Sequence, residues 1–321
     1  MFRLFFTTGL FVLILQTTGC QTLRPQPIVS QTQYIPTELA STVEHQVEVG
    51  EPNVVLDSVG WVVGIPGKII LWDRRVDNHQ VSPKTTAAVA DYLHTNHLPH
   101  IKVRANQYAP MDEFKRLTQN KTVAWPYRYT LGLYSVVRDA VLPGRIFGGD
   151  NFNPYTQSIH LYSDIPAIAL HEGAHAKDFA RREYQGTYAL AYNVVPLYHE
   201  TVASRDALAY AHVEGDAAMV EEANRILYPA YGTYVGSTLG TFAGPASGAV
   251  YAASVLGGHI EGRLENQRLR EGKTHLDIAY STPTRPANPV SPEPTTQLAD
   301  QTPPGESVMP VSFEMEGALA R

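Results

Sequence analysis

The chain has 321 residues, 44% of them hydrophobic, a formal net charge of −6 and a single cysteine. The acidic balance argues against nucleic acid as a partner. One cysteine excludes an internal disulfide, and a chain this long can bury an adequate core without one.

Arg3 precedes an apolar run over residues 4–15, broken only by Thr7, Thr8 and Gly9, and then Gln16-Thr17-Thr18-Gly19-Cys20. A positive start, a short apolar stretch and small residues predict a signal peptide over residues 1–19. The run is too short for a comfortable transmembrane helix. Cys20 stands where a bacterial lipoprotein carries its lipid-modified cysteine, although Thr17 takes a place where Leu is usual. Fatty acylation of Cys20 is therefore expected, with an incidental cysteine after an ordinary signal as the alternative. Export follows, with anchoring to the cell membrane or the outer membrane. Residues 20–52, rich in Gln, Thr and Pro, read as a lipid-anchored linker. At the far end, residues 281–310 hold eight prolines. Residues 271–321 are therefore expected to be a disordered Pro/Thr/Ser-rich tail.

Between these ends lie an expected domain over residues 53–230 and a glycine-rich helical segment over 231–270. Residues 54–72 are strongly apolar around Gly64-Ile65-Pro66-Gly67. They fit two strands, two short helices about a turn, or a segment lying on a membrane. Asp73-Arg74-Arg75-Val76-Asp77 reads as a solvated, self-paired charge cluster. Helices are predicted over 85–96, 111–117 and 134–142, and a strand over 101–105. Residues 150–154 are dense in turn formers, and 157–162 alternate as a strand does.

His171-Glu172-Gly173-Ala174-His175 has the form H-E-x-x-H. On a helix, residues four apart share a face, so His171 and His175 can hold one Zn²⁺. Glu172 is then placed to take a proton from a water that the metal activates. Ser163 and Asp164 are N-cap types and Pro166 suits a first turn, which predicts a helix over residues 164–184.

With an acidic residue on a later helix, this motif resembles the gluzincin group of zincin metallopeptidases over about residues 157–212. The resemblance implies an α+β domain with a small sheet, the H-E-x-x-H helix and a returning helix bearing a Glu ligand. It also implies that the strand beside the cleft pairs with an extended peptide; the strand at 157–162 precedes the metal helix in that order. Glu200 is the candidate third ligand, with Ala203, Ala207 and Ala211 at helical spacing beside it. A turn near 184–187 would let its helix return. Asp178 and His199 compete, and Asp178 suits better a role orienting an imidazole through its free N–H. The gluzincin pattern places a second acid four residues after the ligand Glu, where this chain has Ser204. Any one of several nearby tyrosines could donate to an oxyanion.

Gly232, Gly236, Gly240, Gly244 and Gly248 recur every four residues in a stretch free of charge from 226 to 260. Such a stripe permits close helix packing, either inside the chain or in self-association or a membrane. Two function classes stand: an envelope zinc hydrolase acting on a peptide or protein, and a non-catalytic structural lipoprotein assembled through the stripe. The anchor is checked by metabolic labelling with a fatty-acid analogue. Wild type is expected to carry the label and Cys20→Ser to lose it.

Overall fold

Four short strands make one mixed sheet in the computed structural model, which describes residues 23–28 and 46–273. They are β1 (Val47–Val49), β2 (Lys102–Ala105), β3 (Asn151–Asn153) and β4 (Ser158–Leu161), in the order β1-β2-β4-β3. β1, β2 and β4 are parallel, and β3 runs antiparallel to β4. The two-residue period sorts side chains between faces. Val103, Ala105, Ile159 and Leu161 enter the apolar core, and Lys102, Arg104 and His160 occupy the other face, also buried. Arg104 is satisfied there by donating to Glu113 at 2.6 Å and Glu48 at 2.7 Å.

The rest of the described chain is mostly helical: α1 (Val54–Val63), α2 (Ile65–Leu71), α3 (Pro83–Thr95), α4 (Pro110–Gln119), α5 (Trp125–Tyr127), α6 (Leu133–Val141), α7 (Gly144–Phe147), α8 (Pro166–Ala180), α9 (Gln185–Val194), α10 (Pro196–Glu214), α11 (Ala217–Gly240) and α12 (Ser247–Arg270). Fourteen of the fifteen residues of α8 are buried. It packs against α3, α10, α11 and the β3–β4 end of the sheet.

Several expectations change. The signal peptide, Cys20 and residues 274–321 lie outside the described residues. The stretch read as a linker supplies β1, and Leu23 and Ile28 are buried. Residues 54–72 are two helices broken at Gly64 and bent by 51°. Asp73 is buried rather than solvated, because it is paired with both Arg75 and Arg225, the latter on α11. The turn formers at 150–154 hide strand β3. β4 therefore lies inside the sheet, hydrogen-bonded on both sides, and cannot accept a peptide; among the described residues β3 and β1 are the edge strands.

The expected caps of α8 are used elsewhere. Ser163 accepts the Asp77 backbone N–H at 2.8 Å. Asp164 accepts from Ser82 and Thr85 at the start of α3, where a carboxylate meets the positive helix end. Helix α8 opens on Pro166 at its first turn and ends at Ala180, short of the predicted 184.

The glycine stripe resolves into a hairpin within the chain. α11 runs through the expected boundary at 231 and packs along α12. A methyl at Gly232 would sit 2.6 Å from the Ser254 carbonyl, and one at Gly236 2.8 Å from the Tyr251 Cα. From α12, Gly258 and Gly262 answer with the same closeness to Tyr228 and Asn224. Gly240 is only in ordinary contact range, while Gly244 and Gly248 face open space and leave the stripe. Gly244 instead takes φ +54° in the connecting turn. Gly258→Ala is expected to destabilise the fold by about 1–3 kcal/mol through backbone crowding. Gly248→Ala, in open space on the same helix, is expected to be neutral or stabilising by up to about 1 kcal/mol. Urea denaturation of the two variants checks the contrast.

Candidate metal centre

Helical spacing puts His171 and His175 one turn apart on α8, and α10 brings Glu200 across to them. Their donor atoms converge. The two Nε2 atoms are 3.1 Å apart, and Glu200 lies 3.0 Å from His171 Nε2 and 3.4 Å from His175 Nε2. Among the described residues this is the one group of three or more His, Cys, Asp or Glu side chains able to hold a metal ion. Metal–ligand bonds of about 2.0–2.2 Å at tetrahedral angles set donor separations of roughly 3.3 Å, close to those found.

The opposite ring nitrogens carry the stronger test of fit. Ser204 Oγ lies 3.3 Å from His171 Nδ1. The Tyr192 hydroxyl donates to the His175 carbonyl at 3.2 Å and sits 3.5 Å from His175 Nδ1, free to accept from it. Each ring thus has a hydroxyl oxygen near Nδ1 that can accept a proton there, and with Nδ1 protonated each Nε2 lone pair would face Glu200. Three lone-pair donors in mutual contact repel unless a cation or protons lie between them.

Electrostatics separate the two carboxylates. Burial alone would raise the Glu200 carboxyl, but positive charge and Nε2–H donation from the two imidazoles, the metal-free alternative to a cation between them, pull it well below the usual range. Glu172 is buried with less relief, and its carboxyl is pushed up to about 8 by burial, with Glu200 and Asp150 adding repulsion. The Phe152 backbone, on the edge strand β3, offsets part of that rise.

Asp178 requires a correction. It does not orient a ligand imidazole; its carboxylate accepts from Arg181 and Arg182 at 2.8 Å and from the Tyr188 hydroxyl. The geometry of α8 turns it toward α9, away from the Nδ1 atoms. His199, the other competitor, also faces away from the cluster. Its Nδ1 is 3.0 Å from the Tyr188 hydroxyl, and its ring stacks on Tyr192 at 4.2 Å. Asp178, Tyr188, His199 and Tyr192 therefore form one buried support leading to His175. The predicted second helix is in fact the third: α9 begins at Gln185, where a turn was expected, and contributes Tyr188 and Tyr192.

Sequence reasoning missed Tyr234. It lies on α11, in the segment read as a packing stripe, with its phenol within the electrostatic reach of Glu200. The Glu200 charge and burial raise this phenol well above its ordinary range. Of the other tyrosines, Tyr184 is largely exposed and Tyr210 packs edge-on against Tyr92. A cavity of about 360 Å³ opens beside Asn151, but it is lined by Glu113, His160 and Asp150 and by none of His171, Glu172, His175 and Glu200.

No family model, curated protein or solved structure matches this chain. The site therefore rests on its own geometry. Under competition with a chelator, Glu200→Gln is expected to show the larger loss of Zn²⁺ affinity. Ser204→Ala should lose about 10–100-fold, the scale for a group that orients a ligand. Asp178→Asn is expected to register instead as a lower melting temperature, since it leaves Arg181 and Arg182 without their buried partner.

Proposed function

We propose that this protein is a zinc-dependent hydrolase of the cell envelope, a metallopeptidase of the zincin type tethered through an acylated Cys20. The observation that carries the reading is the convergence of His171, His175 and Glu200, with both imidazoles already engaged at Nδ1, beside a separate buried carboxylate. Two imidazoles and one carboxylate are a donor set suited to Zn²⁺. When bound, the ion supplies Lewis acidity, polarising a carbonyl and acidifying a water.

The chain's own groups do the rest. Glu172 accepts a water proton as the water oxygen bonds to the substrate carbonyl carbon. When the C–N bond breaks, Glu172 passes that proton to the leaving amine. Tyr234, whose phenol lies within the field of Glu200, is the group assigned to donate its one hydroxyl proton to the carbonyl oxygen as negative charge gathers on it. A peptide is favoured as substrate because the edge strand β3 packs against the helix that carries Glu172. An extended backbone can add to such an edge by main-chain hydrogen bonds. The competing reading, a lipoprotein assembled through its glycines, is weakened because Gly232 and Gly236 are spent within the chain.

The test separates metal holding from chemistry. Glu172→Gln is expected to retain metal content and stability while turnover falls by roughly 10²–10⁴-fold, the scale of general-base catalysis. Envelope peptides from cells carrying wild type or the variant supply the readout where no substrate is in hand. Identical peptide profiles from the two metal-replete proteins would refute the peptidase and favour the structural lipoprotein.

A further inference from the structure

Helix α1 breaks the ordinary rule for a soluble helix. It is apolar nearly all round, and such helices belong inside a protein or in lipid. Yet Gly60 is its one buried residue. Val54 is 81% exposed, Val55 71% and Val62 57%; on α2, Ile69 is 65% exposed, and Trp72 follows at 52%. The two charges in this stretch both turn inward. Asp57 pairs with Arg145 at 2.7 Å, and the Lys68 ammonium donates to the Trp61 and Asp77 carbonyls. What remains outside is a bent apolar ridge without charge.

We propose that this ridge is a membrane-contact surface that lies in the lipid interface beside the anchor. Chain length favours lipid over a second copy or a protein partner. Leu23 is buried, and its carbonyl accepts from the Tyr228 hydroxyl. Cys20 is three residues earlier, so covalent geometry holds it within about 11 Å of Leu23. Tyr228 backs onto Gly258, and the next residue, His259, stacks on Trp72 at 3.8 Å. An acyl chain on Cys20 would therefore be rooted within reach of the Trp72 end of the ridge. There Trp72 also packs under the Arg263 guanidinium at 5.0 Å. Trp and Arg together suit the headgroup level, where an amphipathic ring and a cation are both favoured. Residues Leu256 and Ile260 of α12, flanking His259, extend the exposed apolar surface.

Together α1 and α2 are long and apolar enough for a bent span, but their 51° break and their ties to the protein body favour lying on the membrane. α1 has ten residues, so it is about 15 Å long, half the hydrocarbon thickness. Among the described residues no single helix is long and apolar enough to span. The Asp57–Arg145 pair also ties α1 to the body of the protein.

Three tryptophans make the test direct. The proposal borrows the anchor from the reading above, so the full processed chain is used and its acyl group is read separately by mass spectrometry. It is reconstituted in vesicles of phosphatidylethanolamine and phosphatidylglycerol, with or without brominated acyl chains. Three variants each keep one tryptophan, with Phe at the other two positions. Bromine is expected to quench and blue-shift Trp61 and Trp72 while Trp125, on α5, stays bright. Val62→Asp combined with Ile69→Asp, at exposed positions, is expected to abolish quenching at Trp72 with an unchanged melting temperature. The proposal fails if the chain floats with the vesicles while Trp61 and Trp72 stay bright, or if Trp125 is quenched equally. It also fails if the chain does not float, or if the two tryptophans become shielded only through dimerisation without lipid.

Discussion

Helix α8 is buried on nearly every side, yet it carries His171, Glu172, His175, Lys177 and Asp178. Burying an unpaired charge costs several kcal/mol, and breaking a buried pair typically costs about 3–5 kcal/mol. The helix can therefore sit there only if its neighbours answer each polar side chain. Asp206 of α10 answers Lys177 at 2.9 Å and also accepts from Tyr92 of α3 and the Ile28 backbone. Arg181, Arg182 and Tyr188 answer Asp178. Satisfying these groups fixes α3, α9, α10 and the N-terminal segment around α8. The convergence of Glu200 on the two imidazoles is a product of that frame.

Within the frame, two glutamates on adjoining helices meet opposite fates. Glu200 faces two imidazoles and is held ionised; Glu172 faces backbone and other carboxylates and resists ionisation. Carboxyls whose environments push them apart in this way can divide the work of holding a cation and moving a proton. Under the proposed function, a positive charge in the cluster would pull Glu172 back down. Its affinity for protons would then follow the occupancy of the centre.

The local signals in the sequence were sound where one element decides the outcome. The four-residue spacing of His171 and His175, Pro166 at a first turn and the alternation at 157–162 each need only a few neighbouring residues. Glu200 was also legible, since small residues at 203, 207 and 211 mark a face that packs closely. What failed depends on distant partners. Asp164 has the chemistry of a cap for α8, but Ser82 and Thr85 claim it for α3. Asp178 has the spacing to reach an imidazole, but two adjacent arginines and Tyr188 claim it first. β3 is too short and too rich in turn formers to stand out, and pairing with β4 makes it a strand. Tyr234 is separated from the motif by two whole helices, and only the packing of α11 against α10 and α8 returns it to the neighbourhood of Glu200.

The spacer of the motif carries as much constraint as its ligands. A methyl group on Gly173 would lie 2.7 Å from the ring of Tyr92, whose hydroxyl is already committed to Asp206. That ring cannot retreat without giving up its bond, so residues 92 and 173 act as one unit of volume. Any side chain at 173 would have to be matched by a smaller residue at 92. Drift at these two positions is therefore expected to be correlated, and H-E-G-x-H paired with an upstream tyrosine is a narrower signature for relatives of this chain than H-E-x-x-H alone.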